Sequence, residues 1–159
     1  MLFRSAGINV VVAEVTKVNA ETKKLMVSDG KEYDYDKLFL ATGSSSFIPP
    51  IEGKDLNGVL TLRGLPDADK IRHFIADSDP KKIVFIGAGF ISMEVATLLA
   101  AQHAGAFDIT IVEFLDRTLP LMIDKDMAEP VMEYLEEQGI HILAGKKVEK
   151  ILGENGSVA

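Results

Sequence analysis

The chain has 159 residues, 47% of them apolar, a net charge of −7 and no cysteine. That is material for one ordinary hydrophobic core or two partial ones, and the acidic balance argues against a nucleic-acid partner, whose phosphates call for clustered Lys and Arg. Disulfides, thiolate metal sites and thiol chemistry are excluded within these residues, which is compatible with the reducing cytoplasm expected as its location; no apolar run approaches the roughly 20 residues of a membrane span and no secretory pattern opens the chain.

Residues 8–18, 25–27 and 37–41 carry the β-branched and apolar runs of strands. Asp29-Gly30 predicts a hairpin turn between the second strand and a short third. The pattern is a meander followed by a buried strand. Residues 47–53, Phe-Ile-Pro-Pro-Ile-Glu-Gly, form a connector, since each Pro removes a backbone donor and keeps its predecessor out of helix. A short helix is predicted over 67–75, after Pro66.

From Lys82 the rhythm changes to strand 83–86, helix 90–102 and strand 109–113, which is a parallel βαβ unit. Asp124 or Asp126 caps a further helix that reaches Gln138, with Gly139 as its stop and 140–143 as a third parallel strand. Pro130 is expected near the first turn of that helix, where it costs least. Residues 148–152 and Glu154-Asn155-Gly156 read as the strand and turn of another hairpin. The expected class is α/β, a Rossmann-like three-layer parallel sheet with an antiparallel β-meander.

The strand at 83–86 runs into Gly87-Ala88-Gly89-Phe90-Ile91-Ser92, a Gly-x-Gly turn that opens a helix. This geometry cradles a pyrophosphate: Gly87 turns the chain, Gly89 carries no Cβ to hold phosphate oxygens off, and the new helix offers unpaired N–H groups. Ser92 stands where Gly or Ala is expected. A glycine pair after a strand also arises for packing alone, so a second element matters. Glu113 ends the next strand, where an acid accepts hydrogen bonds from an adenosine ribose about 20 residues beyond the glycines. The linker is longer than usual, with residues 102–108 carrying the excess. An acid there repels a 2′-phosphate, so NADH is expected over NADPH. Arg117 is the counter-argument as a phosphate partner, set against a role as a solvated loop cation.

His73, His103 and His141 lack metal-ligand spacing and fit surface or packing roles. No metal is expected. Met122, Met127 and Met132 are expected to fill core, Asp124 and Asp126 to cap, and Glu133, Glu136 and Glu137 to form a solvated helix face.

Ala41-Thr42-Gly43 ends the apolar run 37–41, Leu60-Thr61-Leu62-Arg63 precedes Asp67-Ala68-Asp69, and Val112 to Pro120 reads Val-Glu-Phe-Leu-Asp-Arg-Thr-Leu-Pro. With these segments the chain resembles the pyridine nucleotide-disulfide oxidoreductase superfamily, and within it the coenzyme A disulfide reductases and NADH oxidases. The resemblance implies a flavoprotein in which NADH delivers hydride to flavin N5, and electrons then pass to a disulfide, dioxygen or a small redox protein. It implies residues 1–79 as the meander, Ala-Thr-Gly strand and connector of an FAD domain, with Thr42 and Gly43 at the flavin side. Residues 80–159 would be the NAD(P)H domain, truncated at its C-terminus. Phe90 takes the place of the residue that covers the nicotinamide pocket, its other reading being a core-packed helix start. Glu94 is the catalytic candidate: it either favours the helix dipole or sits near nicotinamide and flavin, pairing with a Lys of the FAD domain.

The family's first Gly-x-Gly-x-x-Gly has no counterpart before Ile8. The chain is therefore expected to be a piece of a larger flavoprotein, without bound FAD and without turnover by itself. A homodimer stays open. One structural expectation follows: residues 37–41 lie parallel to 83–86 and stand in for a strand of the NAD sheet, within one chain or by exchange between chains. Two other classes stand beside this reading, an NAD(H)-sensing binding module and an S-adenosylmethionine-dependent methyltransferase domain, the latter disfavoured by Ala41-Thr42-Gly43.

Overall fold

The computed structural model describes residues 6–103 and 105–159. Residues 1–5 of the first expected segment and Ala104 of the expected long linker lie outside them. The chain divides into two compact units, Met1–Ser44 and Ser45–Ala159.

In the first unit, β1 (Val15–Asn19), β2 (Lys24–Val27) and β3 (Glu32–Asp34) form an antiparallel sheet in sequence order. The first turn is held by Asn19, whose Oδ1 accepts the N–H groups of Glu21 and Thr22 at 3.0 Å each. In the second, Gly30 takes φ 84° and Asp29 Oδ1 accepts the Lys31 N–H at 3.0 Å, as Asp29-Gly30 predicted. Two strand expectations fail. The first strand starts at Val15 and not at 8, and residues 37–41 form no strand. Val12 and Phe39 are almost fully exposed, at 98% and 92%. A β-branched run supplies propensity, but without a ladder partner it supplies no strand.

The second unit opens with the connector and α1 (Leu65–Ser78). Pro66 lies in its first turn and Asp67 Oδ2 accepts the N–H groups of Arg63 and Gly64 at 3.0 and 3.1 Å, so this helix is longer at both ends than the predicted 67–75. Then follow β4 (Lys82–Ile86), α2 (Phe90–Gln102), β5 (Asp108–Val112), α3 (Lys125–Glu137) and β6 (Ile140–Leu143). The strands are parallel, in the order β4-β5-β6. Across the excess linker Ala106 N–H donates to His103 O at 2.7 Å and the Phe107 ring lies 5.1 Å from that of His103. Asp124 occupies the N-cap position of α3, although its side chain makes no capping hydrogen bond, and Gly139 ends the helix at φ 77°. Pro130 sits inside this helix, a turn deeper than expected.

The core lies on one face of the sheet. Ile109, Ile111 and Ile140 pack against Met93 and Ala96 of α2 and Leu135 of α3, with Phe85, Ile142 and Val131 around them. Both crossover helices cover this face. The opposite face leaves Val84, Ile86 and Leu143 exposed. The α/β class, the Rossmann-like parallel sheet and the antiparallel meander are as expected.

Strand β4 is an edge strand whose ladder partner is β5. Together with the lack of a strand at 37–41, this overturns the stand-in pairing within one chain. Residues 148–152 are likewise no strand: Lys150 makes a single parallel bridge with Glu52, and the hairpin is β7 (Gly153–Glu154) with β8 (Ser157–Val158). Its turn uses Asn155 and Gly156, both at positive φ, as a two-residue hairpin demands.

Candidate nucleotide-binding site

The site is built where β4 gives way to α2, at the carboxyl end of the parallel sheet. Gly87 takes φ 96°, a conformation that side chains resist, and its N–H donates to Val112 O at 2.8 Å. Ala88 is fully buried. Its N–H donates to Glu113 Oε2 at 2.7 Å and its carbonyl accepts the Leu119 N–H at 2.9 Å. Gly89 is the N-cap of α2 at φ −84°, ψ 178°. That is ordinary extended backbone, and a Cβ built on Gly89 would meet nothing within 4 Å. Neither conformation nor packing requires a glycine there. A ligand that approaches the backbone closely does require one.

Met93 N–H makes the first bond of the helix, to Gly89 O at 3.1 Å. The N–H groups of Phe90, Ile91 and Ser92 precede it, so they have no carbonyl one turn back and point out of the positive helix end. Phe90 and Ile91 are exposed at 62% and 55%, and Ser92 is half-buried. The exposed Phe90 ring sets aside its reading as a core-packed helix start. Glu94 is exposed too, and among the described residues no cation pairs with it.

Glu113 is 8% exposed. Its carboxylate spans two loops: Oε2 accepts from Ala88, and Oε1 accepts the Leu115 N–H at 2.8 Å. The backbone beneath it is pinned to β6 and its exit, with Glu113 N–H donating to Leu143 O at 3.0 Å and Glu113 O accepting from Lys146 N–H at 2.8 Å. Each carboxylate oxygen keeps a lone pair for a hydroxyl donor. Arg117 is committed to its own loop. It pairs with Asp116 at 2.8 Å and donates to the carbonyls of Pro120 and Ile123 at 3.0 and 3.4 Å.

The remaining candidates are dispersed. Thr42 and Gly43 are exposed and outside any strand, so nothing around them tests a flavin site. His73 Nδ1 lies 2.7 Å from Asp69 O and His141 Nδ1 lies 3.4 Å from Glu136 Oε2. No cluster that could hold a metal occurs among the described residues. Met122 and Met127 are exposed, against the expectation of core filling, since they flank the loop and the open start of α3; Met132 is half-buried. The sequence reading missed the loop 114–123 as a structural partner of the glycine turn. Leu119 at φ 47° and the fully buried Thr118, whose Oγ1 has no partner among the described residues, mark it only once the chain is folded.

A parallel β-α-β unit with a Gly-x-Gly helix start and an acid ending the second strand is the arrangement found in dinucleotide-binding folds. The family model "Pyridine nucleotide-disulphide oxidoreductase" matches residues 3–159, and the chain belongs to that family. An NADH oxidase of Methanocaldococcus jannaschii is 40% identical over 150 residues, covering 91% of this chain and 33% of the relative. A rubredoxin-NAD(+) reductase of Pseudomonas putida is 33% identical over 145 residues, covering 91% and 36%. The chain thus spans about a third of the length of the curated relatives it matches. Among solved structures, an NAD-dependent persulfide reductase from A. fulgidus superposes with a TM-score of 0.83 at 33% identity, covering 94% of this chain and 28% of that one. A water-forming NADH oxidase from Lactobacillus brevis, bound to NADH, gives 0.81 at 25% identity, covering 96% and 34%.

Proposed function

We propose that residues 87–113 form the NADH site of an FAD-dependent pyridine nucleotide-disulfide oxidoreductase. The observation that carries this reading is Gly89, a glycine that the fold does not need, at the open N-terminus of α2. The pyrophosphate sits on the N–H groups from Gly89 to Ser92, and the helix dipole offsets its charge. The adenosine ribose donates to the remaining lone pairs of Glu113, whose negative charge disfavours a 2′-phosphate and so favours NADH over NADPH. The exposed ring of Phe90 covers the nicotinamide end. Glu94, one turn further on, faces the same open side and takes a Lys of the parent protein as partner. NADH, when bound, supplies a hydride, and a flavin carried by the rest of the parent accepts it. What these residues contribute is position and electrostatics.

Parallel titrations of the purified chain with NADH, NADPH and S-adenosylmethionine test the assignment. NADH is expected to bind, NADPH more weakly and S-adenosylmethionine not at all; preference for S-adenosylmethionine would overturn it. With added FAD the chain is expected to oxidise no NADH, and steady turnover would refute the division of labour with the rest of the parent.

A further inference from the structure

The geometry points to a second task for Glu113: it is a strut that sets the shape of the glycine turn, and so governs pyrophosphate binding by either nicotinamide dinucleotide. This rests on reading Gly87 to Ser92 as the NADH site. An acid at the end of this strand is usually valued for the charge it shows a ribose. Here the carboxylate is almost wholly inside the protein, and both of its oxygens are already engaged by backbone N–H groups, at 2.7 Å from Ala88 and 2.8 Å from Leu115. These distances are those of charge-assisted hydrogen bonds. Among the described residues no cation pairs with the carboxylate, so the two N–H groups are what hold it in place.

The two donors belong to different segments. Ala88 is the middle residue of the glycine turn, and Leu115 belongs to the loop that leaves β5. A single side chain ties them together, and the Leu119 N–H to Ala88 O bond at 2.9 Å ties the same two segments a second time. Leu119 adopts φ 47° to make that bond, which a leucine does only when its surroundings hold it there. Ala88 is thereby fixed through both its N–H and its carbonyl. Its N–H faces Glu113 and is lost to a phosphate, so the cradle's donors begin at Gly89. The turn holds that aim as long as the carboxylate holds Ala88.

The consequence concerns specificity. If Glu113 acts only by charge at the ribose, neutralising it weakens NADH and leaves NADPH as it was or tighter. If it is a strut, both weaken together. Glu113→Gln separates the two, because an amide keeps the size but has one acceptor oxygen for two N–H groups and turns its own NH2 toward the other. Affinity per folded chain, with the folded fraction checked by circular dichroism, is expected to fall roughly tenfold for NADH, the scale of one buried donor left unpaired, and to fall for NADPH as well but by less, because the lost charge no longer repels its 2′-phosphate. A merely stabilising role would leave affinity per folded chain unchanged. The independent readout is amide hydrogen exchange in the nucleotide-free wild-type chain, where Ala88 and Leu115 are expected to be protected, and to exchange faster in Glu113→Gln. Fast exchange of both amides in the wild type, unchanged affinity per folded chain, or weaker NADH with unweakened NADPH would each overturn the strut. A wild-type chain that binds neither nucleotide would instead refute the NADH reading, and exchange at Ala88 and Leu115 would still decide the strut.

Discussion

Gly89 and Gly87 stand two residues apart, and the structure assigns them opposite costs. At Gly89 the backbone is extended and a Cβ meets nothing within 4 Å, so Gly89→Ala brings no clash. Alanine is a poorer N-cap than glycine by up to about 1 kcal/mol. It also lowers the entropy of the unfolded chain, which returns about 0.4–1 kcal/mol. The two nearly cancel, and Tm is expected to stay within about 2 °C of the parent. At Gly87 the same substitution forces a side chain to φ 96°, which costs about 1–3 kcal/mol and lowers Tm by several degrees. Binding shows the reverse emphasis. The methyl group of Gly89→Ala occupies the approach of the phosphate oxygens, and losing one charge-assisted bond at about 1.5–3 kcal/mol weakens NADH roughly ten- to hundredfold. Differential scanning calorimetry and an NADH fluorescence titration on the same preparations make the comparison. A Gly89→Ala chain that binds NADH as tightly as the parent would refute the claim that this glycine serves a ligand.

Three further outcomes follow from named contacts. Ile111 is fully buried between the sheet and both crossover helices, so Ile111→Ala is expected to cost about 2–5 kcal/mol in urea unfolding; a cost under 1 would mean the core is not where the structure has it. Arg117→Ala removes an ion pair and two bonds to loop carbonyls, and is expected to cost about 1–2 kcal/mol while the ratio of NADH to NADPH affinity stays put; a shifted ratio would show that this cation reaches the ribose. The Asp29 carboxyl is held below the usual carboxylate range by the Lys31 ammonium and by the Lys31 N–H. A depressed folded pKa stabilises at neutral pH, and that contribution is lost as pH falls through the folded pKa. The stability difference between wild type and Asp29→Asn should therefore shrink on acidification, and a difference that grows toward low pH would contradict the pairing.

Much of the second unit was legible in the chain itself. Strand 83–86, helix 90–102 and strand 140–143 match the folded elements nearly residue for residue, because their apolar periods and the glycines at 87, 89 and 139 are all local instructions. Where prediction failed, a partner decided. Residues 8–14 and 37–41 have the composition of strands, yet a strand exists only where another backbone completes its ladder. Phe90 and Met127 look like core residues by type, and the packing leaves both exposed.

The candidate site divides in the same way. The sequence by itself supplied the proposal for its class, since a strand, two glycines, a helix and an acid at the next strand end are the pattern from which a pyrophosphate and a ribose site is read. Only the tertiary structure decided what the acid does for the protein. Glu113 reaches Ala88 across 25 residues of chain and Leu115 across two, and no pattern along the chain records that one carboxylate satisfies both. Local conformation is set by neighbours in sequence, whereas the pairing of buried hydrogen-bonding groups is set by which segments the folded sheet brings within 3 Å of each other.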